Sequence, residues 1–382
     1  MKVLQKYFAA EIGRSIFFVL IAFLALFAFF DVIGELKSVG RNDYKIQTAF
    51  LHVLLGVPAY AYDLLPIAAL IGTIWTLAQF ASRSEFTIMR VSSMSTAMAA
   101  MMLFKIAAVL AVITFITGEF IAPKSSEIAE QIKLTARGNS LSQEFRSGLW
   151  TKDVIKFGGN VGDPIGSRFL NVTKVLPNGQ LLGVKIYEFN LDFHLTNLIT
   201  AAKGEYQGNN NWTLTDVTRA KFSDKALQTT ASQSDINAAI STESIPSMTL
   251  VSEVTPEILL VGFSDPDKMS AFRLFEYSNY LKENNRESAR YEIELWKKVF
   301  YPFAVFVMMA LALPFAYLHF RSGGVSLKIF TGIMMGVSFQ LINSLFAHLG
   351  LLNTWPPMAT AVLPSLLYLL LAIGALSWVE RH

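Results

Sequence analysis

The chain contains no cysteine. Disulfides, thiol nucleophiles and Cys-based metal sites are therefore excluded, and any domain outside a membrane must hold by packing and strand pairing alone. The five histidines, His52, His194, His319, His348 and His382, are scattered, and none has metal-ligand spacing. The sequence has no Gly-x-x-x-x-Gly-Lys-Ser/Thr phosphate loop, so hydrolysis of ATP by that route is not expected. A Gly-x-Ser-x-Gly nucleophile elbow is missing as well. Charge is sparse: 16% of residues are Asp, Glu, Lys or Arg, and the formal net charge of +3 is too small to suggest a nucleic-acid binder.

Apolar residues are abundant instead. They make up 53% of the 382 residues, and the mean hydropathy is +0.42, which favours a multi-span membrane protein. A spanning helix needs about 20 apolar residues. Six runs qualify: Ser15–Gly34, Ala59–Phe80, Met98–Ile121, Val299–Leu318, Ile329–Leu349 and Met358–Trp378. The first lacks a small-x-small cleavage site after its bulky core, so it is expected to be an uncleaved span. Basic residues of the short loops and ends fall on one side: Lys2, Lys6, Arg14, Arg83, Arg90, Arg321, Lys328 and Arg381. That side is expected to be cytoplasmic, which places the long segment from Pro123 to Lys298 in the periplasm of a bacterium.

The predicted organisation is spans one to three in residues 1–122 and a periplasmic helical extension in 123–147. A β domain follows in 148–262, then a periplasmic helical connection in 263–296 and spans four to six in 297–382. The fold class is thus a six-span α-helical membrane protein with an inserted periplasmic all-β, jellyroll-like domain. Within that domain Pro177-Asn178-Gly179 separates two apolar runs, Arg168–Val175 and Leu182–Phe189, and reads as a hairpin. Met269–Val299 reads as one helix approaching span four.

Three features invite a functional reading. Between spans two and three, Ser82-x-x-Glu85 matches a capping box, and Phe86, Met89 and Ser93 fall on one face of the short helix that follows, near residues 82–94. It is either a capped helix lying on the membrane or a helix that docks into a groove on a partner. Next, Lys37 and Arg41 after span one, Lys133 and Arg137 beyond span three, and Lys297 and Lys298 before span four would ring an outer cavity with positive charge. They would hold an anionic lipid head group, or simply snorkel to the interface. Last, Gly332-x-x-x-Gly336 allows close helix approach, within the chain or at a gate against another subunit. Asp63 with Pro58 and Pro66 would suit an ion-coupled transporter, but with no second buried carboxylate or inverted repeat it reads better as a wet or Lys-paired acid.

The order and spacing of several segments resemble the lipopolysaccharide export permeases of the LptF/LptG (YjgP/YjgQ) family, the LptG side more than the LptF side. They are Gly13–Phe17, Val57-Pro58, Leu65–Gly72, Ala78–Met89, Gly118–Pro123, Gly148–Asp153, Asp265-Pro266-Asp267, Tyr280–Lys282, Arg290-Tyr291, Trp296 and Thr331-Gly332. The resemblance implies a non-catalytic permease subunit without a cofactor. It would work with an LptF-like homologue, a dimer of an LptB-like cytoplasmic ATPase and an LptC-like jellyroll protein. That complex would extract lipopolysaccharide from the bacterial inner membrane towards the outer membrane. It also places the family's coupling-helix glutamate on Glu85, within a coupling set of Arg83, Glu85, Phe86, Met89 and Arg90. A basic head-group position falls on Lys37 and another on Lys133, whereas Asp31 stands where the best-known members have a basic residue.

Overall fold

A computed structural model describes residues 2–40, 44–91, 95–136, 148–157, 162–176, 179–222, 240–261, 265–317 and 325–381. Among these, six helices are long and apolar enough to cross a membrane. Helix α1 runs Lys2–Leu36 and α2 runs Ile46–Ser82. A short α3, Glu85–Val91, leads to α4, Thr96–Ile116. A π-helical turn at Thr117–Ile121 then joins α4 to α5, Ala122–Ala136, so the third span is one rod. Helices α1 and α2 are longer than the hydropathy alone suggests. At 1.5 Å per residue, 33 residues span about 50 Å, well beyond a hydrocarbon core of about 30 Å. Both Pro58 and Pro66 lie inside α2 without ending it.

The inserted domain is one antiparallel sheet: β1 Leu149–Lys156, β2 Pro164–Val175, β3 Leu181–Asn190, β4 Leu195–Gly208, β5 Asn211–Phe222 and β6 Ile240–Val251. Neighbours in the sheet are neighbours in the chain. The order is a meander, and the described residues contain no Greek-key crossing. The β2–β3 hairpin forms where Asn-Gly announced it: Val175 pairs with Leu181, and Gly179 takes φ +81°. Pro177 and Asn178 lie outside the described residues.

One face of the sheet is apolar, with Leu170, Val172, Val184, Ile186, Ile199 and Trp212 all buried. Two helices after β6 cover it, α6 (Pro256–Val261) and α7 (Ala271–Glu283), together with Met269, which follows a 3-10 turn at Pro266–Lys268. Helix α7 contributes Leu274, Tyr277, Tyr280 and Leu281 to that core. The chain then enters α8, Ala289–Ala312, followed by a short α9 (Pro314–Tyr317), α10 (Val325–Leu352) and α11 (Pro357–Arg381).

The single helix expected over Met269–Val299 is two. Asn285 adopts φ +51°, and the amides of Asn285 and Arg286 bond back to the carbonyls of Lys282 and Leu281 at 3.0 and 2.8 Å. That is a Schellman-type stop, in which asparagine takes the left-handed position more often filled by glycine.

A row of polar side chains crosses the apolar face in register: Asp153, Arg168, Glu188 and Asn197 on β1 to β4. Arg168 Nε lies 3.1 Å from Asp153, and its Nη2 donates to the Val251 carbonyl at 2.7 Å. Ser252 donates to Asp153 at 2.7 Å, and Lys156 pairs with Glu253. These bonds tie β1 and β2 to the exit of β6, so the two ends of the sheet meet through side chains rather than a ladder. Burial pushes the Asp153 carboxyl up even though Arg168, Ser252 and the Val154 amide oppose the shift. The pair therefore fixes geometry more than it adds net stability.

Arg168→Met should leave Asp153 buried without its cation and destabilise the β domain by about 3–5 kcal/mol, whereas Asp153→Leu with Arg168→Met should be close to neutral. Denaturant titration of the full chain in detergent, followed by amide exchange in β1 and β6, reads both. A mild single variant, or a double variant as unstable as the single one, would contradict this role.

Candidate functional site

Helix α3 sits where the chain turns between spans two and three. The capping box is not formed. Ser82 is the last residue of α2, and its hydroxyl donates to the Gln79 carbonyl at 2.9 Å. The local pattern was satisfied by the end of one helix rather than the start of the next. Ser84 turns the chain with φ +60°, and Glu85 opens α3. The Glu85 carboxylate accepts from the Tyr7 hydroxyl at 3.1 Å and lies 3.9 Å from exposed Arg83. Since Tyr7 belongs to α1, this bond ties α3 to span one. Met89 anchors the helix from below, buried in the bundle core with Phe80 and Ala99. The side chains of Phe86 and Arg90, and all of Ser93, lie outside the described residues.

At the opposite end of the spans, three of the described basic residues hold partners. Lys133 binds Glu35 at 2.6 Å, and Glu35 also accepts from Tyr44 at 2.8 Å, with His52 3.6 Å away. One carboxylate thereby holds α1, α2 and α5 together. Lys297 pairs with Glu294 at 2.7 Å. Lys298 is buried, donates to the Gly118 carbonyl at 3.3 Å and lies 5.5 Å from the Tyr62 ring centre. Lys37 is exposed. Arg41 and Arg137 lie outside the described residues.

Two adjoining cavities lie among these groups. One of about 480 Å³ is lined by Asp63, Asp267, Arg290, Lys297 and Gln340. The other, of about 380 Å³, is lined by Asp31, His52, Tyr60, Lys133 and Arg273. Tyr62, Asp63, Asp265, Asp267 and Lys298 border both. Asp63 is exposed, and its carbonyl accepts from the Tyr301 hydroxyl at 2.5 Å. The lining mixes both signs of charge. Among the described residues, no group of three or more His, Asp or Glu could hold a metal ion.

Gly332 and Gly336 face α2. A Cβ on either would come within 2.7 Å of Ile74 or 2.8 Å of Ile67, so the pair serves close packing inside the chain. Two residues with clear structural roles escaped the sequence reading. Gly72 lets α2 touch the backbone of Ile16 in α1. Glu119, in the π turn, accepts from the amides of Ala271 and Phe272 at 2.7 and 3.2 Å. A carboxylate between Gly118 and Phe120 in an apolar run was the available signal.

The profile of the family described as lipopolysaccharide export system permease LptF/LptG matches residues 6–378. Lipopolysaccharide export system permease protein LptG of Escherichia coli strain K12 is 29% identical over 375 residues, 98% of this chain and 98% of that protein. Its namesake in Haemophilus influenzae is 28% identical over 375 residues, with the same coverage of both chains.

Met89→Ala should remove the buried anchor of α3 and ease its local opening by about 2 kcal/mol, or about 30-fold faster amide exchange across Glu85–Val91. Hydrogen–deuterium exchange of the intact chain measures this. Unchanged exchange would show that α3 is held by something other than Met89.

Proposed function

The chain belongs to the lipopolysaccharide export system permease LptF/LptG family, and from that premise we propose that it is the permease subunit through which a partner ATPase drives lipopolysaccharide out of the inner membrane. It is a multi-pass inner-membrane protein and a lipopolysaccharide export permease. The finer reading is that an LptB-like ATPase dimer docks on α3 from the cytoplasm, with Arg83, Glu85, Phe86 and Arg90 as the coupling surface and buried Met89 passing the push into the bundle. An LptF-like homologue would complete the transport cavity, and an LptC-like jellyroll protein would receive the lipid in the periplasm.

The observation that carries this reading is the bond between Glu85 and Tyr7. It gives a push on α3 a direct path into span one. Span one is also the most open to a neighbour: 6% of its most apolar stretch is buried, against 72% in α2 and 17% in α10. Faces of α1 and α10 left uncovered by the chain suit a homologous subunit, with a lipid-filled space between. ATP-driven closure beneath α3 would narrow that space and expel the acyl chains.

For the head group, Lys37 is an exposed cation at the outer end of span one. Lys133, Lys297 and Lys298 would reach an anionic lipid only by exchanging the partners they hold. Arg41 and Arg137 belong to the same proposal by sequence position. Gly332 and Gly336 would keep α10 close to α2 as the cavity narrows, which is their part in gating.

The β domain offers one edge for strand addition. On β1, the hydroxyl of Tyr280 meets Thr151 at 2.9 Å and also binds the Lys152 carbonyl, so α7 covers that edge. On β6, Pro246 blunts the middle, while Ile240–Ser244 is exposed. A jellyroll partner would pair with that first half. An ion-driven secondary transporter built on Asp63, or a scaffold for periplasmic partners, is the competing reading, and dependence on an ATPase separates both from the exporter.

In the purified complex, Glu85→Ala should preserve assembly and lower lipopolysaccharide release per ATP by about tenfold. Wild-type release would remove the coupling role of α3. Lys37→Asp should weaken lipopolysaccharide binding more near 10 mM salt, where the Debye length is about 30 Å, than near 1 M, where it is about 3 Å. A loss of binding that ignores salt would exclude an electrostatic head-group contact at Lys37.

A further inference from the structure

The π turn at Thr117–Ile121 is where the third span meets the β domain. A π turn leaves the regular ladder, here with the Ala122 amide bonded to the Thr117 carbonyl, and such turns are rare unless their surroundings hold them. Three contacts hold this one. Gly118 packs beneath the Tyr62 ring so tightly that a Cβ there would lie 2.3 Å from it. Lys298, from span four, donates to the Gly118 carbonyl. Glu119 accepts two amides at the start of α7.

The third contact differs in kind from the others. Ser270 caps α7 by accepting from Arg273, and Glu119 serves the two amides before it. The carboxylate also meets the positive end of the helix dipole. Helix α7 is itself part of the β-domain core through Leu274, Tyr277, Tyr280 and Leu281. One side chain thus joins a membrane span to the core of the domain outside it. A second bond, Arg273 to Glu127 at 3.2 Å, lies on the more exposed flank of the same junction.

We propose that Glu119 is a transmission residue, locking α7 to the π turn so that movement of the third span is delivered to the β domain. Without the lock the π turn is free to relax towards α-helix. That shifts the register by one residue, or about 100° of rotation, for everything beyond it. The span would then move without carrying the domain. The lock itself is independent of what the protein transports; its consequence for transport rests on the export reading above.

Because the chain has no cysteine, Lys124→Cys and Lys185→Cys supply a unique spin-label pair reporting α5 against the sheet. Both positions are exposed. In the assembled complex in nanodiscs, the parent should give a narrow distance distribution, Glu119→Ala one about twice as wide, and Glu119→Gln, which keeps an acceptor oxygen, a width near the parent. In the same preparations, Glu119→Ala should hydrolyse ATP within about twofold of wild type while releasing about tenfold less lipopolysaccharide per ATP, with Glu119→Gln restoring most of it. Equal widths for the parent and Glu119→Ala would overturn the lock. A widened distribution with normal release would overturn its role in transmission. If the wild-type complex releases no lipopolysaccharide at all, the export reading fails, and the label widths still decide the lock.

Discussion

Lipid tails solvate an apolar side chain about as well as another helix does, so spans in a bilayer are held together where backbones approach closely or polar groups meet. In this chain many of those approaches fall on α2. Gly72 lies against the backbone of Ile16, while Ile67 and Ile74 fill the space left by Gly336 and Gly332. Tyr62 lies on Gly118, and the Thr76 hydroxyl donates to its own helix at the Gly72 carbonyl while meeting the Ser15 hydroxyl at 2.7 Å. With α2 in the middle, α1 leans on it by one face and leaves the other uncovered. The faces that need a partner therefore follow from the same packing that holds the chain together.

Carboxylates perform the joining outside the helix contacts. Glu35 gathers α1, α2 and α5. Glu119 fastens the third span to α7, Asp153 closes the sheet, and Glu85 ties α3 to α1. Each links segments far apart in sequence. This bears on the head-group question, because among the described basic residues Lys133 holds Glu35, Lys297 holds Glu294 and Lys298 holds the Gly118 carbonyl. A lipid phosphate would have to compete with those partners, whereas Lys37 is exposed.

Features set by local chemistry were legible in the sequence. Six apolar runs of sufficient length became six spans, and Asn178-Gly179 between apolar runs marked the β2–β3 hairpin. Features set by a distant partner were not. The capping-box pattern at Ser82 fails because α2 continues through Ser82, which only the packing of α2 decides. The break at Asn285 hides in a stretch with ordinary helical composition. Lys133 and Lys297 read as free cations because Glu35 and Glu294 do not declare which base they will hold. Glu119 was visible as an acid in an apolar run, but its target lies some 150 residues further on. The family segments located α3 and Glu85, and the structure added the bond to Tyr7 that the spacing does not contain.

The central claim is that this chain acts only within a larger exporter. The most direct test is to purify it from gently solubilised native membranes and identify every co-purifying protein and lipid by mass spectrometry. The account predicts recovery of a cytoplasmic ATPase, a homologous permease and lipopolysaccharide in reproducible ratio. A stable, lipid-poor chain recovered alone would contradict it.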